Sequence, residues 1–491
     1  MFLVQNGFKC EYEMNVFINI FFKRDEKGTV TTDFSHENDI ISVHTRIDFK
    51  EKIYESDYFF PFKNSETDKR LIKKIYGCAC TKCFCAAAKK IRNIELPWGV
   101  MSVIRPAKSV RQFFEKGMND VEVKKMLRTI YDVSEKKCDL ALMVAKNERK
   151  ILEKIKDHSV SIYIGIPFCP SRCLYCSFVS TDVKVSGKYM DEFCRLLCKE
   201  IEKTGEILRE LGFFVQNIYI GGGTPTALSV ENLAIIFDSI KKNIDLSSMN
   251  EFTLEAGRPD TITREKLLEA KRGIVNRISI NPQTMNEKTL KKIGRCHTPE
   301  MYGEAFCLAR EMGFDNINTD LIAGLPGENF EMFKNSLERI IEYNPEDITI
   351  HSMCIKRAAA LRFSNSELTG YEEMNKMLDY AQKRMRDIGK EPYYMYRQKN
   401  ISGNLENVGY SDSGHMSFYN INIMEEAQTI IALGGGGSSK IVLGDRIERI
   451  VNFKEPYEYI KRFDEIIKRK EKIADFFKKA AEGNDVNAVH R

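Results

Sequence analysis

The stretch Tyr163-Ile164-Gly165-Ile166-Pro167-Phe168-Cys169-Pro170-Ser171-Arg172-Cys173-Leu174-Tyr175-Cys176 decides how this chain is read. Its first half is a β-forming apolar run closed by proline, and its second half sets three thiols in one tight loop, spaced C-x3-C-x2-C. A [4Fe-4S] cluster ordinarily takes four thiolates, so three closely spaced ligands leave one iron open to another molecule. A structural zinc site is the alternative. It wants a fourth protein ligand, and among the residues that follow Phe178 offers none and Ser177 is a poor substitute. An open iron at the end of a strand points to chemistry rather than electron storage.

Outward from this stretch, short β-rich runs alternate with amphipathic segments long enough for helices. The runs are Ser161 to Ile166, Asn217 to Ile220, Glu251 to Ala256, Arg277 to Ile280, Asn316 to Ile322 and Asp347 to Met353. Such alternation predicts right-handed βαβ units on a parallel sheet, and six units make a partial (β/α)6 barrel rather than a closed eight-stranded one. Active-site residues are then expected at the strand C-termini. Gly221-Gly222-Gly223-Thr224-Pro225-Thr226 follows the second run, where backbone without side chains can approach a ligand and offer amide hydrogens.

Three more runs occur in order: Asn281-Pro282-Gln283-Thr284, Gly294-Arg295-Cys296-His297, and Asp320-Leu321-Ile322-Ala323-Gly324-Leu325-Pro326-Gly327. Together with the cysteine stretch and the glycine run, they make residues 160 to 445 resemble the radical S-adenosylmethionine (SAM) superfamily. Within it, the resemblance is to the oxygen-independent coproporphyrinogen III oxidase family. In the superfamily the open iron chelates the methionine portion of SAM, and reductive cleavage yields a 5′-deoxyadenosyl radical. The resemblance implies that Cys169, Cys173 and Cys176 hold the cluster and that Gly222, Gly223 and Thr224 meet the methionine amino end of SAM. It further implies that Tyr163 and Tyr175 line the cluster and SAM, and that Glu255 binds the SAM ribose. Gln283, Arg295 and Asp320 match positions around a second SAM or the reacting part of the site, and Cys354 matches one contributing mainly backbone. Tyr163, Arg295 and Asp320 are the candidate catalytic residues.

The segments Tyr393-Tyr394-Met395-Tyr396-Arg397-Gln398-Lys399-Asn400 and Glu95-Leu96-Pro97-Trp98-Gly99 resemble the HemZ-type coproporphyrinogen dehydrogenase branch. The implied reaction removes CO2 from two propionates of coproporphyrinogen III in turn, giving protoporphyrinogen IX for haem biosynthesis, with two SAM molecules consumed. An electron donor such as flavodoxin or ferredoxin is an implied partner. Lys356, Arg357, Arg362, Arg397 and Lys399 are candidate partners for the four substrate carboxylates. Gly434-Gly435-Gly436-Gly437-Ser438-Ser439-Lys440 resembles a family segment that approaches SAM, and it does not fit a phosphate-binding G-x4-G-K-[ST] loop. Two positions depart from the best-known oxidases, which have a histidine at Gly165 and a fourth cysteine at Phe178. A haem-binding chaperone of the same family also lacks that fourth cysteine, so haem binding without turnover is the rival function.

The expected organisation is an α+β N-terminal domain over 1–155, the barrel over 156–370 and a substrate-covering region over 371–491. Alternating β-formers from Tyr12 to Ile20, with a turn at Lys27-Gly28, predict a small N-terminal sheet. Asp68 to Ile155 is helical in pattern, broken near Pro97-Trp98-Gly99 and Pro106. A helix is expected over Tyr371 to Ile388, and a Lys-rich helical tail whose charges read as a solvated face. A second thiol cluster, Cys78, Cys80, Cys83 and Cys85, lies in the helical part of the N-terminal region. On a helix Cys78 pairs with Cys85 and Cys80 with Cys83 on separate faces, so a four-thiolate site would need the helix to break. The plainer reading is small buried thiols. His297 and His351 lie near the expected site and are assigned no role.

Composition bounds the rest. The 491 residues are 43% hydrophobic and 30% charged, the balance of a folded chain rather than a disordered or membrane-spanning one. The first apolar run, Val16 to Phe22, is too short for a span and too acidic at its flank for a signal peptide. Fourteen cysteines in a long Lys/Glu-rich chain read as metal binding in a reducing cytoplasm, not as a secreted disulfide scaffold. The 75 basic and 70 acidic residues are mixed, so nucleic-acid binding is not implied, and an RNA-modifying relative would carry a basic appended domain.

Overall fold

The computed structural model describes the chain except residue 24 and residues 64–68, 177–180, 355–368, 399–403, 445 and 483–491. The chain forms two compact units, Met1–Ala145 with Tyr396–Glu406, and Lys146–Met395 with Asn407–Arg491.

The first unit holds a four-stranded sheet, β1 (Phe2–Asn6), β2 (Gly28–Glu37), β3 (Ile40–Phe49) and β4 (Lys52–Pro61), in that spatial order. Strands β2 to β4 are joined by two-residue turns at Asn38-Asp39 and Lys50-Glu51, all four residues at positive φ, the geometry that matches strand twist. The expected strand over Tyr12 to Ile20 is instead the helix Glu11–Phe21. Its buried residues Met14, Phe17, Ile18 and Phe21 recur at helical spacing, and that 3.6-residue period overrides the β propensity of the individual residues. The helical stretch is the set Lys69–Lys89, Pro106–Glu115, Asp120–Tyr131 and Glu135–Leu152, with Pro106 opening a helix where its missing N–H costs nothing.

The second unit is built on one sheet. Its strands are β5 (Ser159–Ile166), β8 (Phe214–Gly222), β9 (Glu251–Glu255), β10 (Arg277–Ser279), β11 (Ile317–Ala323), β12 (Asp347–Ser352), β13 (Glu391–Tyr396), β14 (Asn407–Ser411), β15 (Thr429–Gly434), β16 (Ser438–Leu443) and β17 (Arg446–Val451). A separate short pair, β6 (Phe168–Cys169) and β7 (Thr181–Asp182), lies beyond β5. The spatial order is β13-β14-β12-β11-β10-β9-β8-β5-β15-β16-β17. The run from β5 through β12 is parallel, as the six βα units predict, and β15 joins parallel to β5. The two edges do not pair with each other, so among the described residues the barrel is partial rather than closed.

Local sequence explains the regularity. β5 is buried along nearly its whole length, as a parallel strand covered on both faces must be. Helices Val230–Asn243, Arg264–Arg272, Pro299–Glu311 and Phe330–Glu342 each start behind a side-chain cap, from Ser229, Thr263, Thr298 and Asn329. Segment 371–491 supplies the helix Tyr371–Asp387 and also five strands of the barrel sheet.

The Lys-rich tail is the helix Phe463–Glu482, and one of its charges is not solvated. Lys470 is fully buried 3.1 Å from Glu200, on the same apolar face as Ile466, Ile473 and Phe477. The Glu200 carboxylate also accepts from the Gly434 amide (2.8 Å), Asn452 (2.7 Å) and Tyr459 (2.6 Å), which fixes the end of β15. Burial of a charge is tolerated here because each oxygen is hydrogen-bonded. Among the described residues no helix is long and apolar enough to cross a membrane.

Candidate active site

Strand register sets the site in layers. Tyr163 on β5 is level with Tyr219 on β8, and one step further Gly434, Gly165 and Gly221 stand side by side on β15, β5 and β8. Tyr163, Tyr219 and Tyr419 stack, with centroids 6.3 Å apart for the first pair and 4.5 Å for Tyr219 and Tyr419. Burial raises all three phenols well above their ordinary pKa, so they stay protonated. The glycine layer has two steric reasons. A Cβ at Gly221 would stand 2.9 Å from the Glu255 carboxylate, and one at Gly165 would stand 2.5 Å from the Gly435 carbonyl. The turn from Gly434 to Gly437 therefore fills the space that a histidine at 165 would need.

Glu255 ends β9 as expected and accepts a hydrogen bond from Tyr219. Burial pushes its carboxyl up to about 7, Tyr219 opposes the shift, and Asp320 adds to it. Asp320, on β11, is half-buried, as Glu255 is. Burial favours its neutral form, but His351 at 3.5 Å and Asn318 at 2.8 Å outweigh that and hold it below the usual carboxylate range. Gln283 follows β10 at φ +67°, its amide bonded to the Asp320 carbonyl, and its side-chain oxygen is buried without a partner. Arg295 donates to the carbonyls of Asn281 (3.1 Å) and Gly257 (2.8 Å), and its Nε is likewise buried and unsatisfied.

The cysteine loop lies beside this layer. Cys169, Cys173 and Cys176 are partly exposed thiols outside any disulfide, and the Cys176 amide closes a turn on the Cys173 carbonyl at 3.1 Å. Thr224 donates to the Cys169 sulfur at 3.4 Å. The amides of Gly223 and Thr224 each reach a carbonyl of the cysteine strand, Ile166 and Phe168, at 2.7 Å, so these two donors dock the glycine run on the cysteine loop. A Cβ at Gly223 would lie 2.5 Å from the Phe168 carbonyl and 3.0 Å from the Cys169 sulfur. Tyr175 is half-buried near Cys173 and Arg295, and desolvation raises its phenol. Among the described residues no three His, Cys, Asp or Glu side chains are gathered as a metal ion requires, the loop thiols included. The donor set still fits an iron–sulfur cluster in its chemistry: three thiols outside any disulfide on one loop, packed on a glycine cradle, beside unsatisfied buried polar atoms.

Other expected residues fall elsewhere. Cys354 comes two residues after β12, partly exposed. Arg397 belongs to the first unit, where it is buried and spends its guanidinium on the carbonyls of Met101 and Asn404. Lys356, Arg357, Arg362 and Lys399 lie outside the described residues, as do Ser177 and Phe178. Cys78, Cys80, Cys83 and Cys85 are buried on the unbroken helix Lys69–Lys89, with the Cys83 thiol donating to the Ser56 carbonyl at 3.0 Å.

Sequence reasoning missed Tyr219, Tyr419, Arg258 and Asp260. The alternation of Asn217, Tyr219 and Gly221 along β8 was a usable signal for the first, since it puts Tyr219 on the face of Gly221. Nothing local identified the other three.

Comparison with known proteins follows the same lines. The radical SAM superfamily matches residues 163–340. The chain is 41% identical over 395 residues to the oxygen-independent coproporphyrinogen-III oxidase-like protein HemZ of Bacillus subtilis, covering 78% of each chain. It is 33% identical over 244 residues to the heme chaperone HemW of Lactococcus lactis, covering 49% of this chain and 62% of that one. The solved structure of Escherichia coli coproporphyrinogen III oxidase, HemN, a radical SAM enzyme, superposes with a TM-score of 0.51 at 21% identity. It covers 65% of this chain and 72% of that one and supports the shared fold.

Proposed function

Because the chain belongs to the family of oxygen-independent coproporphyrinogen-III oxidase-like proteins, within the radical SAM superfamily, we propose that it oxidatively decarboxylates coproporphyrinogen III to protoporphyrinogen IX. The observation that carries this reading is the extent of the match, 41% identity over 78% of both chains, far beyond the superfamily's own residues 163–340. Membership of the superfamily implies a [4Fe-4S] cluster and SAM. When bound, they would supply a 5′-deoxyadenosyl radical able to take a hydrogen atom from the β-carbon of a propionate, and the substrate radical would then lose CO2 and pass one electron to an external one-electron acceptor, leaving a vinyl group.

The chain's own residues bind, orient and exclude water. Cys169, Cys173 and Cys176 would ligate three irons, and the cradle of Gly222, Gly223 and Thr224 would border the methionine end of SAM. Glu255, held by Tyr219, would receive the ribose hydroxyls. The unsatisfied Gln283 oxygen and Arg295 Nε would take up polar groups of a ligand. Each costs about 1–3 kcal/mol while it stays unpaired in the interior. The stacked Tyr163, Tyr219 and Tyr419 would form an aromatic floor that limits the entry of water, which would strengthen electrostatic contacts above it. Asp320, kept charged by His351 and Asn318, would orient the reacting side of the site together with Arg295. Two propionates reacting in turn would consume two SAM molecules.

Haem binding without turnover is the second reading, favoured by the 33% identity to a heme chaperone. The test is anaerobic incubation of the reconstituted protein with SAM, a reductant and coproporphyrinogen III, with chromatography of 5′-deoxyadenosine and of protoporphyrin after oxidation. Substrate-dependent formation of both products is expected. Stoichiometric haem binding with no protoporphyrin would replace the enzyme by the chaperone.

A further inference from the structure

Directly after β9 the chain turns through Ala256-Gly257-Arg258-Pro259-Asp260-Thr261. This turn is braced on all sides. The Thr261 amide and hydroxyl both reach the Arg258 carbonyl (2.9 and 2.7 Å), Thr226 meets Thr261 (2.6 Å), and Arg295 donates to the Gly257 carbonyl (2.8 Å). Arg258 itself is 3% exposed. Its guanidinium is gripped in a two-pronged pair by Asp260, Nε to Oδ1 at 2.9 Å and Nη2 to Oδ2 at 2.9 Å. The remaining nitrogen, Nη1, faces the cysteine loop. It donates to the Ser171 hydroxyl at 3.1 Å and carbonyl at 3.4 Å, and stands 3.9 Å from the Cys173 sulfur.

A buried guanidinium is costly unless its charge is paired and its donors are hydrogen-bonded. Its pairing with Asp260 offsets part of the cost, and the geometry leaves one donor over. That donor is not used to close the Arg258 turn, which the threonines already close. It reaches a loop 87 residues earlier in the chain, between the first and second cysteines of the motif. Positive charge and hydrogen bonds near cluster sulfurs favour the reduced, more negative state.

We propose that Arg258, oriented by Asp260, is a positioning residue that fixes the cysteine loop through Ser171 and sets a permanent positive charge against the Cys173 sulfur, raising the potential at which a bound cluster accepts its electron. The inference rests on the reading that Cys169, Cys173 and Cys176 hold a cluster. One electron enters from an external low-potential one-electron donor and the cluster becomes more negative by one charge. Arg258 stabilises that added charge and exchanges no proton. Lysine would keep the charge but not the fork, because an ammonium cannot grip Asp260 and Ser171 together in fixed geometry.

The test is a redox titration, followed by electron paramagnetic resonance, of the full chain reconstituted anaerobically with iron and sulfide, with iron content measured in parallel. Arg258→Gln should keep its iron and lower the reduced-to-oxidised ratio about tenfold at a fixed potential, about 59 mV for a one-electron couple. Arg258→Lys should recover most of that shift. Asp260→Asn removes a neighbouring negative charge while its side-chain oxygen still accepts from the Arg258 Nε, and it should move the potential the opposite way, upward. A potential unchanged in both Arg258→Gln and Asp260→Asn overturns the proposal. So does loss of iron in Arg258→Gln combined with no upward shift in Asp260→Asn, which would leave Arg258 a structural brace only. Wild-type protein that takes up no iron would defeat the cluster reading instead, and that outcome is distinct from either of these.

Discussion

The seven cysteines of the two clusters are spaced almost as closely in one as in the other, C-x3-C-x2-C after β5 and C-x-C-x2-C-x-C along Lys69–Lys89. Their surroundings differ in kind. The loop thiols are partly exposed at the C-terminal end of a parallel sheet, next to backbone that glycine keeps free of side chains. The helix thiols are buried on an unbroken helix, facing different neighbours. Cys83 reaches the carbonyls of Ser56 and Val43, and Cys80 meets Cys10. Burial pushes Cys78 up to about 12 and raises Cys80, Cys83 and Cys85 as well, Cys80 mainly through its hydrogen bond to Cys10. A thiol that resists ionisation resists metal ligation, because the ligand is the thiolate. Cysteine density is therefore a weak guide, and the backbone that presents the thiols decides.

The largest effect that could break this contrast concerns iron. Alanine at Cys169, Cys173 or Cys176 should abolish iron uptake and cluster absorbance after reconstitution, while Cys80→Ala or Cys85→Ala should leave iron stoichiometry unchanged. The reverse pattern would exchange the two clusters' roles. Next in size is thiol labelling of the iron-free protein at pH 8. Burial holds the Cys78 thiol near 12 and keeps it from the reagent, so the partly exposed loop cysteines should be alkylated well before Cys78, read by peptide mass spectrometry.

A third test asks whether burial acts at the site as it does on the helix. Burial raises Glu255 from 4.5 to about 7, so between those values the folded protein holds more proton than the unfolded chain. Stability is then complete below about pH 4.5 and falls as pH rises through about 7, by on the order of 3 kcal/mol for this group. Glu255→Gln should flatten that fall in urea titrations at pH 5 and pH 8. Glu328, also raised to about 7 by burial, should preserve part of the slope. The smallest effect is on the helix. Cys85→Ser puts a hydroxyl into a buried site and should lower stability by about 1–3 kcal/mol in urea with no change in bound iron.

Much of the site was legible because its signals are short. The cysteine spacing, the glycine run after the second strand and Glu255 at the end of the third are each read within a few residues, and the six strand positions agree with the expected runs to within about three residues. The segment Tyr12 to Ile20 shows the weakness of the same method. Its β-forming residues favoured a strand, and packing of Met14, Phe17, Ile18 and Phe21 made it a helix. Lys470 shows another: a lysine in a charged tail carries no local sign that it will meet Glu200 in the core. Arg397 was read as a substrate cation and is instead a buried donor to backbone carbonyls of the first unit.

By itself the sequence determined the parallel βα rhythm, the loop that presents three thiols and the family to which the chain belongs. These follow from backbone periodicity and covalent spacing, which act over a handful of residues. Only the tertiary structure decided that Tyr163, Tyr219 and Tyr419 share one stack, that the Gly434 to Gly437 turn occupies the space beside Gly165, and that Arg258 reaches Ser171 and Cys173. Each of those contacts joins segments far apart in the chain, and their geometry is fixed by strand register and buried packing, which no local pattern encodes.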